Sequence, residues 1–97
     1  MSTFNMAVYT PGGEMFSAPV ESIDAPGREG RFGVLSHHAP MIIALQRGIL
    51  KARSDGKTSF FVTGEGVLEI SDGNVAVLAD AAVAAEDQHK AEALLAL

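Results

Sequence analysis

At 97 residues, with 47% hydrophobic and 20% charged side chains, the chain has the composition of one globular domain and not of a disordered segment. A fold of this size buries roughly two thirds of the surface its unfolded chain exposes, so a single core suffices. A net charge of −5 argues against an electrostatic grip on nucleic-acid phosphates, and the lack of cysteine excludes disulfide and thiolate chemistry.

Residues 1–10 carry no basic region followed by a long apolar stretch, so a secretory leader is not expected there and these residues are read as part of the fold. Phe4, Met6 and Val8 alternate with Asn5, Ala7 and Tyr9, the period of a strand with one apolar face. Thr10-Pro11-Gly12-Gly13 turns the chain. Residues 14–18 and 20–25 read as two short strands parted at Pro19, which cannot donate to a central ladder. Ile23 and Ala25 share a face.

Residues 27–40 hold Gly27, Gly30 and Gly33 at intervals of three and close on Pro40. Such spacing predicts a shaped loop in which the glycines take positive φ or pass close to another backbone. Met41-Ile42-Ile43-Ala44-Leu45, the longest unbroken apolar run, reads as a short strand and is far from the ~20 residues that span a bilayer. Any membrane association is therefore expected to run through an embedded partner. Residues 48–54 alternate Leu50 and Ala52 against Ile49, Lys51 and Arg53.

Asp55-Gly56 and Asp72-Gly73 sit between strand-like runs and predict hairpins, because type I′ turns need positive φ at both central residues. Leu68 and Ile70 face inward with Glu69 outward. Val75 and Val77 lie on one face of residues 74–79, with Ala76 and Leu78 on the other. Short strands at this spacing, punctuated by Gly, Pro and Asp-Gly, indicate an antiparallel sandwich or barrel. From Ala84 the period becomes helical, with Ala91, Leu94 and Leu95 on one side and Glu86 and Asp87 where a helix N-terminus favours acids. A helix of ~12 residues is marginal alone and must lean on the sandwich or on a partner.

No catalytic arrangement emerges. His37 and His38 are adjacent in an extended segment and point to opposite faces, and His89 is distant in sequence, so a metal site is not expected. Ser36 lacks a nucleophile elbow, and the three glycines are not followed by the helix that phosphate loops require. What remains is surface. Phe60, Phe61 and the two-sided strand 74–79 offer more apolar face than one core consumes, so an outer face is expected either to dock on a partner or to be covered by the tail helix.

The run Gly27-x-x-Gly-x-Phe-Gly-Val-Leu-x-x-His-Ala-Pro40 resembles the N-terminal domain of the ATP synthase epsilon family, called delta in mitochondria. A second block, residues 61–81, with Gly64-Glu65-Gly66, Leu68-Glu69-Ile70 and Asn74-x-x-Val-Leu-Ala-Asp80, is similar to the same family in order and spacing, and Leu45-x-x-Gly48 lies between them. The resemblance implies a ten-stranded antiparallel β-sandwich over residues 1–84, followed at residues 85–97 by the start of a C-terminal helical segment. It implies a non-catalytic rotor subunit, bound to the gamma subunit and the c-ring at the cytoplasmic face of the membrane, that couples proton or sodium translocation to ATP synthesis without a cofactor. It places Gly27, Arg28, Glu29, Gly30, Arg31, Phe32 and Gly33 toward the c-ring, and Thr10, His38, Met41 and Ile43 toward gamma.

The chain departs from the family pattern at several points. Arg31 stands where relatives often carry an acid, Ser36-His37 replaces a common Pro-Gly, and Lys90 stands for the Arg of a nucleotide-binding pattern that Asp87 keeps only in part. Tight ATP binding is therefore not expected. The competing expectation from a different class is a free-standing sandwich with a His-based metal site and hydrolase or isomerase activity.

Overall fold

The computed structural model describes residues 2–97. In chain order the elements are β1 (Phe4–Thr10), β2 (Gly13–Val20), β3 (Ser22–Gly27), β4 (Gly30–Leu35), β5 (Met41–Leu45), β6 (Gly48–Ser54), β7 (Lys57–Thr63), β8 (Gly66–Ser71), β9 (Asn74–Ala79), β10 (Ala82–Ala85) and α1 (Gln88–Leu95). The strands form one continuous path, β10-β7-β6-β3-β5-β8-β9-β1-β2, with β4 added alongside β3. Folded over, this path makes a sandwich that is nearly a closed barrel. All pairings among the described strands are antiparallel except β1 with β9, which run parallel with Met6 opposite Val75 and Val8 opposite Val77.

Alternation fills the interior from both layers. Met6, Val8, Leu68 and Val77 from one side meet Ile23, Val34, Leu50 and Phe61 from the other, all nearly or fully buried. Across the open side, Phe16 of the terminal strand β2 meets Phe61 of β7, next to the other path end, edge to face with ring centroids 4.9 Å apart, a favoured aromatic geometry. Both Asp-Gly turns form as expected. Asp55 and Gly56 have φ of 56° and 77°, and Asp72 and Gly73 have φ of 46° and 76°.

Strand β3 switches layers. Its first half pairs with β6, Asp24 opposite Lys51, while its last residue, Gly27, pairs with Leu45 of β5. The Pro26 carbonyl accepts from the Gln46 amide at 2.9 Å, and the Arg28 amide donates to the Ala44 carbonyl at 2.9 Å. One edge of β3 thus serves two neighbours in turn, which is the corner of the sandwich.

The tail helix covers an outer face. Ala91, fully buried, packs on Ile49 and Val62, with Phe60, Ala85, Leu94 and Leu95 around it. Asp87 caps the N-terminus by accepting from the Lys90 amide at 2.8 Å. No basic side chain lies in the last turn, and Arg47, from the connection between β5 and β6, donates to the Leu95 carbonyl at 2.7 Å instead. A cation there complements the negative end of the helix dipole.

Three local expectations change. Pro19 does not separate strands; it lies within β2 opposite Asn5, and the break falls at Glu21. The proline is tolerated because β2 ends the sheet path, where a missing N–H leaves no ladder gap. Ala84 and Ala85 belong to β10, paired with Phe61 and Phe60, so the helix starts after the Asp87 cap and is shorter than its composition suggested. The glycine-rich stretch is not an open loop. Gly27 pairs with Gly30 across a two-residue turn, and Phe32 and Val34 continue as β4 opposite Ala25 and Ile23.

His37 is not extended as expected: it lies in the turn after β4 with φ of 66°. A residue with a Cβ pays a steric penalty in this region that glycine avoids. His37→Gly is therefore expected to raise stability by about 0.5–1 kcal/mol after the extra chain entropy of glycine is counted. A urea midpoint that rises at unchanged slope checks this; a lower midpoint contradicts it.

Candidate functional site

The β3–β4 hairpin and β5 diverge from the shared corner at Gly27 and leave a cleft of about 700 Å³. One wall is the hairpin, with Gly27, Arg28, Glu29, Gly30, Arg31, Phe32 and Gly33; the other is β5, with Met41, Ile42, Ile43 and Ala44, and His38 adds to the lining. The structure therefore unites two sets of residues that the resemblance assigns to different partners. Thr10 stands apart. It closes β1 beside the β2 turn, at the end of the sandwich where Gly66 and Ala79 pair, whereas His38 sits toward the other end, near Phe4, Ile70 and Val75.

Sequence spacing treats the three glycines alike, but the backbone does not. A Cβ on Gly27 would lie 2.6 Å from the Gly30 carbonyl oxygen and 2.8 Å from the Phe32 ring, so the corner closes only without a side chain. Gly30 has φ of 129°, a conformation L side chains rarely adopt. Gly33 meets neither demand: its φ is not positive, and a Cβ would find the Ile23 carbonyl at 3.8 Å, an ordinary contact. The expectation that all three glycines take positive φ or pass close to another backbone is thereby corrected at Gly33.

The charges of the hairpin are also unequal. Arg31 reaches back over β3, its Nε donating to Asp24 Oδ1 at 3.2 Å and its Nη2 donating to the carbonyls of Asp24 at 3.3 Å and Ile49 at 2.6 Å. The Ile49 bond has a reason in the sequence. Extending the Asp24–Lys51 register sets Pro26 opposite Ile49, and proline has no N–H to donate. Arg28 and Glu29 make no side-chain hydrogen bond or ion pair among the described residues and occupy the tip.

A second surface lies on the outer face of β5, β8, β9 and β1. Ala44, Val67, Leu78 and Tyr9 occupy successive register positions across these strands, with Ile42 beside them. Ile42 is 68% exposed and Leu78 45%. The expected excess of apolar face is thus divided: the tail helix covers the Phe60 side, and the Leu78 side stays open. Leu78 was legible from alternation. So were the outer-face positions of Tyr9 and Val67, but not their alignment with Leu78 and Ile42, which depends on the strand register.

The histidines do not gather ligands. His38 Nδ1 lies 2.8 Å from the Ala39 carbonyl oxygen, and no three His, Cys, Asp or Glu side chains among the described residues come together to hold a metal ion. Lys90 is 3.1 Å from Glu86 and Asp87 caps the helix, so the two residues that the resemblance relates to a nucleotide-binding pattern are both engaged at the start of the helix.

The family model described as the beta-sandwich domain of the ATP synthase Delta/Epsilon chain matches residues 3–85. The chain belongs to this family. It is 42% identical over 85 residues to the ATP synthase epsilon chain of Pelotomaculum thermopropionicum, covering 88% of this chain and 63% of the relative. It is 40% identical over 87 residues to that of Rhodopseudomonas palustris strain TIE-1, covering 90% and 64%. The chain thus spans just under two thirds of the length of these relatives. Among solved structures, a chain of the Euglena gracilis mitochondrial ATP synthase, in an assembly of OSCP, F1 and c-ring, superposes with a TM-score of 0.81 at 27% identity, covering 97% of this chain and 62% of that one. A chain of the Tetrahymena thermophila central stalk and c-ring assembly shares the fold, with a TM-score of 0.69 at 16% identity over 81% of this chain and 64% of that one.

The glycine geometry yields a test on the free domain. Gly30→Ala is expected to cost about 1–2 kcal/mol for its positive φ, whereas Gly33→Ala should stay within about 0.5 kcal/mol of the parent. Denaturant unfolding of both variants checks the order; a Gly33→Ala cost equal to or above that of Gly30→Ala contradicts it.

Proposed function

We propose that this chain is a non-catalytic central-stalk subunit of an F-type ATP synthase, which turns with the gamma subunit and the c-ring and couples proton or sodium translocation to ATP synthesis. The observation that carries this reading is the family match over residues 3–85. The likeness to a chain from an assembly that contains F1 and a c-ring supports it. No helix among the described residues is long and apolar enough to cross a membrane. In this reading, contact with the membrane-embedded ring runs through a docking surface. The site of action is the cytoplasmic face of the membrane, within the complex.

In this reading the hairpin tip, with Arg28 and Glu29 projecting from a rigid corner, meets the polar loops of the c-ring. The open row of Tyr9, Val67 and Leu78, with Thr10 at its edge, is offered to gamma. His38, Met41 and Ile43, on the β5 side of the cleft, lie where the two partners would approach each other. Transmitting torque requires surfaces that hold shape and not bond-making groups, which suits a small sandwich whose exposed chemistry is apolar rows and a charged turn. Tight ATP binding is not part of the role: Lys90 lacks the planar fork of arginine and is paired with Glu86.

Cysteine crosslinking in the assembled enzyme tests the docking. Glu29→Cys is expected to crosslink to the polar loop of the c subunit. Asp72→Cys, in the turn between β8 and β9 at the opposite end of the sandwich, is expected not to. Efficient crosslinking from Asp72→Cys with none from Glu29→Cys would reverse the orientation of the domain on the ring.

A further inference from the structure

We infer that Arg31 is a positioning residue that holds the hairpin in place, and that the charges a docked partner reads at the cleft are those of Arg28 and Glu29. The inference rests on the proposed docking of this hairpin. Its evidence is the direction of the Arg31 side chain. The guanidinium makes three hydrogen bonds to its own fold, to the Asp24 carboxylate, the Asp24 carbonyl and the Ile49 carbonyl. These acceptors belong to β3 and β6, so a side chain from β4 ties three strands together at the place where β3 leaves β6 for β5. Proline at position 26 leaves the Ile49 carbonyl without a ladder donor, and the 2.6 Å bond from Arg31 replaces it.

Two consequences follow for recognition. With three of its five N–H donors committed and its charge paired with Asp24, Arg31 is directed away from the tip, where Arg28 and Glu29, unpaired among the described residues, stand side by side as a cation and an anion. A partner segment that fits is a polar loop with an acidic group for Arg28 and a cationic or donor group for Glu29. The strut also sets the angle between the hairpin and β5, and so the width of the cleft. Loss of Arg31 should therefore change docking through geometry, whereas loss of Arg28 or Glu29 should change it through charge. Arg31 reaches its three acceptors from two nitrogens of a planar fork, whereas the three donors of a lysine radiate from one atom, so lysine should restore the function in part.

The experiment has two arms. In the free chain, amide hydrogen exchange is compared for Arg31→Ala, Arg31→Lys, Arg28→Gln and Glu29→Gln. Protection at Phe32 and Val34 is expected to fall about tenfold in Arg31→Ala, less in Arg31→Lys, and to stay unchanged in the two tip variants. In the second arm, the same chains are bound to ATP synthase depleted of this subunit, at several salt concentrations. Arg31→Ala should weaken association at unchanged salt dependence, while Arg28→Gln and Glu29→Gln should weaken it about threefold to tenfold and alter the salt dependence. Unchanged exchange in Arg31→Ala, or an altered salt dependence from it, overturns the positioning role. Tip variants that bind like the parent, with exchange in Arg31→Ala behaving as expected, overturn recognition at the tip and with it the docking, while leaving the strut in place.

Discussion

The close approach of backbone to backbone at Gly27 is the constraint on which the rest of the architecture depends. Strand β3 must leave one layer and enter the other within two residues, and it does so by passing its edge from Lys51 of β6 to Leu45 of β5. Pro26 ends the first pairing because it has no N–H, and its ring fills the space beside Gly48, where a Cβ would lie 2.7 Å from the proline. Gly27 completes the change by sitting against the Gly30 carbonyl and the Phe32 ring. Without this corner there is no two-residue hairpin, no divergence of β4 from β5 and no cleft.

Around that corner the polar interactions are arranged to repair what it costs. Arg31 satisfies the Ile49 carbonyl that proline leaves without a donor, and Arg47, on the neighbouring connection, satisfies the last turn of the helix. Both arginines bond to backbone carbonyls, and Arg31 is also paired with Asp24, so both guanidinium groups are held against the fold. Arg28 and Glu29 remain as the exposed pair. Rigidity follows from this economy: a tip held by a glycine contact, a proline and a three-fold hydrogen-bonded arginine offers a partner a fixed shape, and preordered surfaces lose less entropy on docking.

Much of this was legible in the amino-acid order. Alternation identified the core faces of β1, β8 and β9, and Asp-Gly located both type I′ turns, because those signals are local and depend on one backbone period or one φ requirement. The strand β4 was hidden, since only Phe32 and Val34 alternate in a stretch broken by three glycines. Pro19 misled because its meaning depends on whether a strand is central or at an edge, which no local window contains. The role of Arg31 was illegible for the same reason: its acceptors lie 7 and 18 residues away, on strands whose register is set by the whole fold. The apolar row of Ala44, Val67, Leu78 and Tyr9 likewise exists only after four strands align.

Replacing Gly27 by alanine tests the corner most directly, because it adds one methyl group and changes no charge. The Gly30 carbonyl at 2.6 Å from the new Cβ cannot yield without reopening the hairpin. The account predicts a loss of about 2–3 kcal/mol in denaturant unfolding, the upper range for overpacking, together with loss of association with the depleted synthase. A Gly27→Ala chain that unfolds within about 0.5 kcal/mol of the parent and still docks would contradict it.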